Sequence, residues 1–153
     1  MTIKKNVIKA MLMGILSIIA FTACFDDNKG TFVNGTEMDS DQLPLTAQMF
    51  INETFPKAPI TSVEFEDGKY EVRLKDYTEI EFYMDGDWST VDCGLHAVPE
   101  HIIPIDITNN VKEQFPEAEI TKIDKELYGY EVELSNDLYL KCDHQGMIFE
   151  MES

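Results

Sequence analysis

Glu53-Thr54-Phe55-Pro56-Lys57-Ala58 and Tyr70-Glu71-Val72-Arg73-Leu74 decide the fold, because both stretches return further along the chain. Glu113-Gln114-Phe115-Pro116-Glu117-Ala118 answers the first, and Tyr130-Glu131-Val132-Glu133-Leu134 answers the second. Leu43-Pro44 is answered in the same way by Ile103-Pro104, Ile60-Thr61 by Ile120-Thr121, and Gly86 by Gly146. The offset is 60 residues throughout, without a gap. A constant offset across separate matches points to two tandem units, residues 43–93 and 103–153.

Each unit decodes in the same order. Pro44 and Pro104 suit a first helical turn, where no backbone N–H is needed. Ala47, Phe50, Ile51 and Phe55 fall at helical spacing, as do Ile103, Ile107, Val111 and Phe115. Pro56 and Pro116 then stop the helix. Strands are expected near Ile60–Glu66 and Glu119–Lys125. The next strand alternates, with Tyr70, Val72 and Leu74 on one face and Glu71, Arg73 and Lys75 on the other. Its counterpart sets Tyr130, Val132 and Leu134 against Glu131, Glu133 and Ser135. A third strand turns Ile80, Phe82 and Met84 inward, with Leu138, Leu140 and Cys142 in its counterpart. Hairpin turns at Asp85-Gly86-Asp87 and Gln145-Gly146 lead to short fourth strands, Trp88–Cys93 and Met147–Met151. Period-2 alternation over several strands means a sheet buried on one face only. The expected fold is therefore α+β, tandem helix–antiparallel-sheet units whose helices cover one face. A unit of this length makes a marginal core by itself, so the two are expected to pack together, as one extended sheet.

The amino-terminal segment is an export signal. Lys4, Lys5 and Lys9 precede an uncharged run, Ala10 to Ala23, shorter than the ~20 apolar residues that span a bilayer. Phe21-Thr22-Ala23-Cys24 places small residues before a cysteine, as lipoprotein processing requires. Residues 1–23 are read as the signal peptide and Cys24 as the lipidated residue. The multiple acyl chains of a bacterial lipoprotein give stable anchoring. Asp26-Asp27 resembles the surface-export signal of Bacteroidetes lipoproteins. The expected location is the cell envelope, as an outer-membrane lipoprotein facing either the periplasm or the cell surface. Residues 24–42 lack hydrophobic periodicity and read as a flexible tether, followed by a domain over 43–153.

The formal charge is −17, and loss of residues 1–23 removes three lysines and no acid, which leaves −20. Such a charge opposes binding to nucleic acid or anionic lipid and suits cations or basic protein surfaces. Cys93 and Cys142 remain after Cys24. An exported compartment permits a disulfide, while the apolar setting of Cys142 suits a free thiol packed as a small hydrophobe.

The helix ending Phe-Pro-x-Ala, the Tyr-Glu-Val-x-Leu strand, the turn before Trp88, Val91-Asp92-Cys93 and the second Ile-Pro pair together resemble the PepSY-like proteins, also described as beta-lactamase-inhibitor-like. The resemblance runs from about Leu43 to Ser153. It implies helices on one face of an antiparallel sheet and exported proteins with no established enzymatic activity. Binding, inhibition or regulation of another exported protein follows only by analogy of fold. Members often carry glycine in the turn after the Tyr-Glu-Val-x-Leu strand, where this chain has Lys75-Asp76-Tyr77 and Ser135-Asn136-Asp137.

Catalytic chemistry has little support. His96, His101 and His144 lie in no hydrolase-like context, and Ser62, Ser89 and Ser135 have no nucleophile elbow around them. His96, His101 and Cys93 lack the ligand set and spacing of a zinc site. Asp85 and Asp87 flank a glycine and offer two oxygen ligands to calcium, which takes six to eight; Asp67 or Asp92 would have to join them. The open sheet face is expected to carry Glu71, Arg73, Glu79, Glu81, Tyr83, Glu131, Glu133, Tyr139 and Lys141. Tyr83, Tyr139 and Arg73 are candidate protein-binding residues there. Trp88 is a fourth, placed either on that face or as a cap on the core.

Overall fold

The computed structural model describes residues 35–153, so Cys24, the signal peptide and most of the tether lie outside the described residues. A short strand β1 (Thr36–Glu37) precedes helix α1 (Leu45–Thr54) and strands β2 (Ile60–Glu66), β3 (Lys69–Leu74), β4 (Glu79–Tyr83) and β5 (Trp88–Asp92). Helix α2 (Ile105–Gln114) and strands β6 (Ile120–Glu126), β7 (Gly129–Leu134), β8 (Tyr139–Asp143) and β9 (Ile148–Glu152) follow. The nine strands form one antiparallel sheet in chain order. From α1 to β5 and from α2 to β9, every element begins and ends at the same offset of 60 residues. The register shifts recur too, at Ile60/Ser62 and Ile120/Lys122, and at Glu81/Phe82 and Lys141/Cys142.

Pro44 and Pro104 stand at the N-cap of each helix, one place before the expected first turn. Phe55 and Phe115 close the helices by donating N–H to Ile51 O (2.8 Å) and Val111 O (2.7 Å). The prolines that follow have no N–H to extend the ladder. Ala47 and Ile51 on α1, and Ile107 and Val111 on α2, face the sheet. They join Val63, Val72, Ile80, Phe82 and Val91, and Ile123, Val132, Leu140 and Cys142, in one core that runs through both halves.

Two expectations change. Residues 36–42 are not a free tether: β1 pairs with β2, Met38 N–H donates to Val63 O at 2.8 Å, and Met38 packs on the core. Met84, expected inward, is 65% exposed because β4 ends at Tyr83 and the chain turns there. The turns after β3 and β7 keep their shape without glycine, with Tyr77 at φ 70° and Asp137 at φ 64°. Asp tolerates that left-handed geometry, and Tyr77 points into solvent.

Candidate functional site

Alternation sends every second strand residue to the face that the helices leave uncovered, and register then decides which of them are neighbours. One row crosses the sheet from β2 to β9 as Glu64, Glu71, Glu81, Thr90, Asp124, Glu131, Lys141 and Glu150. The next row is Ser62, Arg73, Glu79, Asp92, Lys122, Glu133, Tyr139 and Glu152. The two rows hold ten carboxylates against three cations, so the face is acidic from edge to edge. Glu71 stands directly between Glu64 and Glu81, and Asp124 stands opposite Glu131. Like charges placed directly opposite destabilise a sheet.

Cations offset part of that repulsion. Lys69 donates to Glu81 at 2.7 Å, and this hydrogen bond raises the lysine pKa. Arg73 bonds Glu71 at 2.8 Å and Glu79 at 3.0 Å. Lys141 bonds Glu150 at 3.0 Å and lies 3.6 Å from Glu152, which holds the Glu150 carboxyl below its ordinary pKa. Such exposed pairs are screened by solvent and add little to stability. Asp124 is a partly buried acid of the face. Burial raises its pKa against the opposing effects of the Thr90 hydroxyl, which donates at 2.8 Å, and of Lys122.

Arg73 is therefore part of an acidic grid. Tyr83 and Tyr139 are both on the open face and each 40% exposed, as the alternation implied. They do not form one aromatic patch: they lie on β4 and β8, with β5, β6 and β7 between them. Tyr83 is paired with Lys69, whose ammonium lies 5.6 Å from the ring centroid. Tyr139 is paired with Glu133, whose charge raises the phenol pKa.

Trp88 does not belong with them. It packs on the helix-covered side, 6.3 Å from the Phe50 ring, with Lys125 Nζ 3.9 Å above its own ring centroid. The bulge opposite Phe82 gives β5 an extra residue, which defeats simple counting along the strand. Burial lowers the Lys125 pKa while the charges of Asp87 and Asp85 act to raise it.

Asp85 and Asp87 form a tight turn in which Asp85 Oδ1 accepts the Asp87 N–H at 3.0 Å. Neither Asp67 nor Asp92 completes a ligand set with them: among the described residues no group of three or more His, Cys, Asp or Glu side chains could hold a metal ion. The turn is placed by helix packing, since Gly86 (φ +88°) lies against Pro44 and Thr46. Cys93 and Cys142 are both free and buried, and burial pushes each thiol up to about 11. The serines are engaged in structure: Ser89 donates to Glu81 O at 3.4 Å, and Ser135 accepts the Glu119 N–H at 3.1 Å.

Sequence reasoning missed Ser62, Glu64, Thr90, Asp92, Lys122, Asp124, Glu150 and Glu152 as members of the open face. Alternation in β6 around buried Ile123 was the available signal for Lys122 and Asp124. Which strands neighbour β6 is a matter of register across the two halves.

Three solved structures are similar over 78% of this chain, and this chain spans 97–100% of each. One, from Bacteroides thetaiotaomicron, is described as a "putative calcium-regulated periplasmic protein" (31% identity, TM-score 0.75). Two, from Bacteroides vulgatus, are described as a "putative periplasmic protein of unknown function" (27%, 0.75) and a "putative periplasmic protein" of the DUF2874 family (31%, 0.72). No curated protein matches. Among the described residues no helix is long and apolar enough to cross a membrane. The family described as "Putative beta-lactamase-inhibitor-like, PepSY-like" matches residues 22–77 and 68–150, and the chain belongs to that family.

Proposed function

We propose that this chain is a non-enzymatic envelope protein that binds, and thereby inhibits or regulates, another exported protein through the open face of its sheet. The observation that carries this reading is the row Glu64–Glu71–Glu81, like charges set opposite one another on a face no helix covers. An arrangement that costs stability in isolation is relieved when a basic surface lands on it. The matching partner is a protein with a cationic patch, and nucleic acid and anionic lipid are disfavoured by the same field. The periplasmic descriptions of the three similar structures support an exported setting. Lipid on Cys24 would supply the membrane link, and two tandem units would supply the long continuous sheet. Intact-mass measurement of the protein from membranes tests the anchor: diacylglycerol on Cys24 is expected, and an unmodified amino terminus ends that part of the reading.

The test of the face is quantitative co-purification from the native envelope. Wild type is expected to retain one exported basic protein in a salt-sensitive way. Glu71→Lys with Glu131→Lys should lose it. Tyr83→Ala with Tyr139→Ala should weaken retention while leaving stability nearly unchanged, as for exposed positions. Retention unaffected by charge reversal, or a large loss of stability in the tyrosine variants, ends this reading.

A second reading is calcium-responsive binding. Its support is the calcium-regulated description of a structure 31% identical to this chain, together with the dense carboxylates of the sheet face. Asp85 and Asp87, the residues first considered for calcium, would be at most part of such a site. Calorimetry and thermal melting with millimolar calcium decide it; absence of both heat and a melting shift would sink it.

A further inference from the structure

The outer edge of β9 has an internal template. At the offset of 60 residues β9 is the counterpart of β5, and the outer edge of β5 is covered by β6. There Thr90, Val91 and Asp92 stand opposite Asp124, Ile123 and Lys122. The corresponding residues of β9 are Glu150, Met151 and Glu152, and among the described residues no strand lies beyond them. Val91 is fully buried, whereas Met151 is 55% exposed. Phe149, where β5 has buried Ser89, is 54% exposed.

We propose that the β9 edge accepts an extended segment of a partner protein as a tenth, antiparallel strand, and that the segment carries a basic–apolar–basic pattern. The β5–β6 pairing supplies the geometry. An incoming residue opposite Met151 takes the place of Ile123 and must be apolar. Residues opposite Glu150 and Glu152 point to the open face, as Asp124 and Lys122 do, and must be cationic. Lys141 is shared between the two glutamates at 3.0 and 3.6 Å and leaves the pair net negative. Main-chain hydrogen bonds supply affinity in such strand addition, and alternate side chains supply specificity.

The same charges disfavour a second copy of this chain. Antiparallel pairing of β9 with itself about Met151 sets Glu150 opposite Glu152, and pairing about Glu150 sets that residue opposite itself. Pairing with β2 of another molecule in the manner of β6 sets Glu150 opposite Glu64, and β1 already occupies that edge. Unpaired edges invite association with like molecules, and charged side chains are a common guard against it. Here the guard excludes copies of the chain and leaves the edge open to a basic strand. The proposal does not depend on the open-face reading, because the strand adds to one edge through backbone pairing.

The experiment uses the full chain and a synthetic peptide of residues 119–127 carrying Asp124→Lys, with the unsubstituted peptide as control. The substituted peptide is expected to bind saturably and about tenfold more tightly than the control, the scale of exchanging a like-charged cross-strand pair for an opposite one. Hydrogen exchange should slow in 148–152 and stay unchanged in β3 and β7. Glu150→Lys with Glu152→Lys should remove the preference for the substituted peptide. Equal binding of the two peptides, no saturable binding, or protection confined to β3 and β7 would overturn the proposal; the last pattern would leave the open-face reading standing. Self-association of the chain with 148–152 protected in the absence of peptide would assign the edge to a second copy and also overturn it.

Discussion

The halves of the sheet solve the same packing task with different residues. In the first, Phe50 on α1 meets Phe82 edge-on at 5.7 Å and Trp88 at 6.3 Å. In the second, the corresponding residues are Asn110, Cys142 and Ile148. There Asn110 Nδ2 donates to Gly146 O at 2.7 Å and ties α2 to the β8–β9 turn through one polar contact. What both halves keep is the approach of a turn glycine to the helix start: Gly86 against Pro44 and Thr46, Gly146 against Asp106 and Ile107. This scaffold depends on backbone closeness at the glycine. The side chains around it can be aromatic or polar.

Truncating the aromatic contact should have the largest effect. Phe82→Ala removes a fully buried ring and is expected to cost about 3–5 kcal/mol. Cys142→Ala, at the matching place, should cost only about 1 kcal/mol, the scale of one buried methylene-sized group. Urea denaturation of the two variants checks this, and equal losses would mean that the halves do not differ as described.

The glycine approach shared by both halves should have the next largest effect. A β-carbon at Gly86 would stand 2.8 Å from Pro44 Cβ, and one at Gly146 would stand 2.8 Å from Asp106 Cβ, both at positive φ. Gly86→Ala and Gly146→Ala should therefore each cost about 1–3 kcal/mol, by similar amounts. A neutral result in either half would show that its turn moves away from the helix without penalty.

The smallest effect is expected at the polar tie. Asn110→Ala leaves the Gly146 carbonyl without that partner in a half-buried place and should cost about 1 kcal/mol. Thermal melting of this variant beside Phe50→Ala sharpens the contrast. A larger loss for Asn110→Ala would reverse the ranking of hydrogen bond and aromatic packing.

The halves differ again at their outer strands. Val91 and Met151 occupy matching positions, yet one is fully buried and the other 55% exposed, because β6 lies beside β5 and no described strand lies beside β9. The same local pattern thus has two fates set by its neighbour. Local irregularity matters as much as neighbours: Tyr83 and Tyr139 were readable as outward from alternation alone, while Trp88 was not. The bulge at β5 adds a residue, and a one-residue shift changes which face a side chain meets. The acidic grid was half legible: Glu71, Glu81 and Glu131 follow from their own strands, but their placement in one row with Glu64, Asp124 and Glu150 requires the register of the assembled sheet.

By itself the sequence determined the helices, the strands and their inward faces, since prolines, turn glycines and apolar periods of 3.6 and 2 act locally. The 60-residue offset, the acidic charge and the cysteine at residue 24 were likewise complete in one dimension. Only the tertiary structure decided that β5 pairs with β6 to join the halves, that residues 36–42 join the sheet, and that Trp88 faces the helices. It alone left β9 as the edge among the described strands and showed Asp85 and Asp87 without further ligands. The physical reason is shared: pairing register, edge position and ligand convergence depend on residues far apart in the chain, and no local pattern records them.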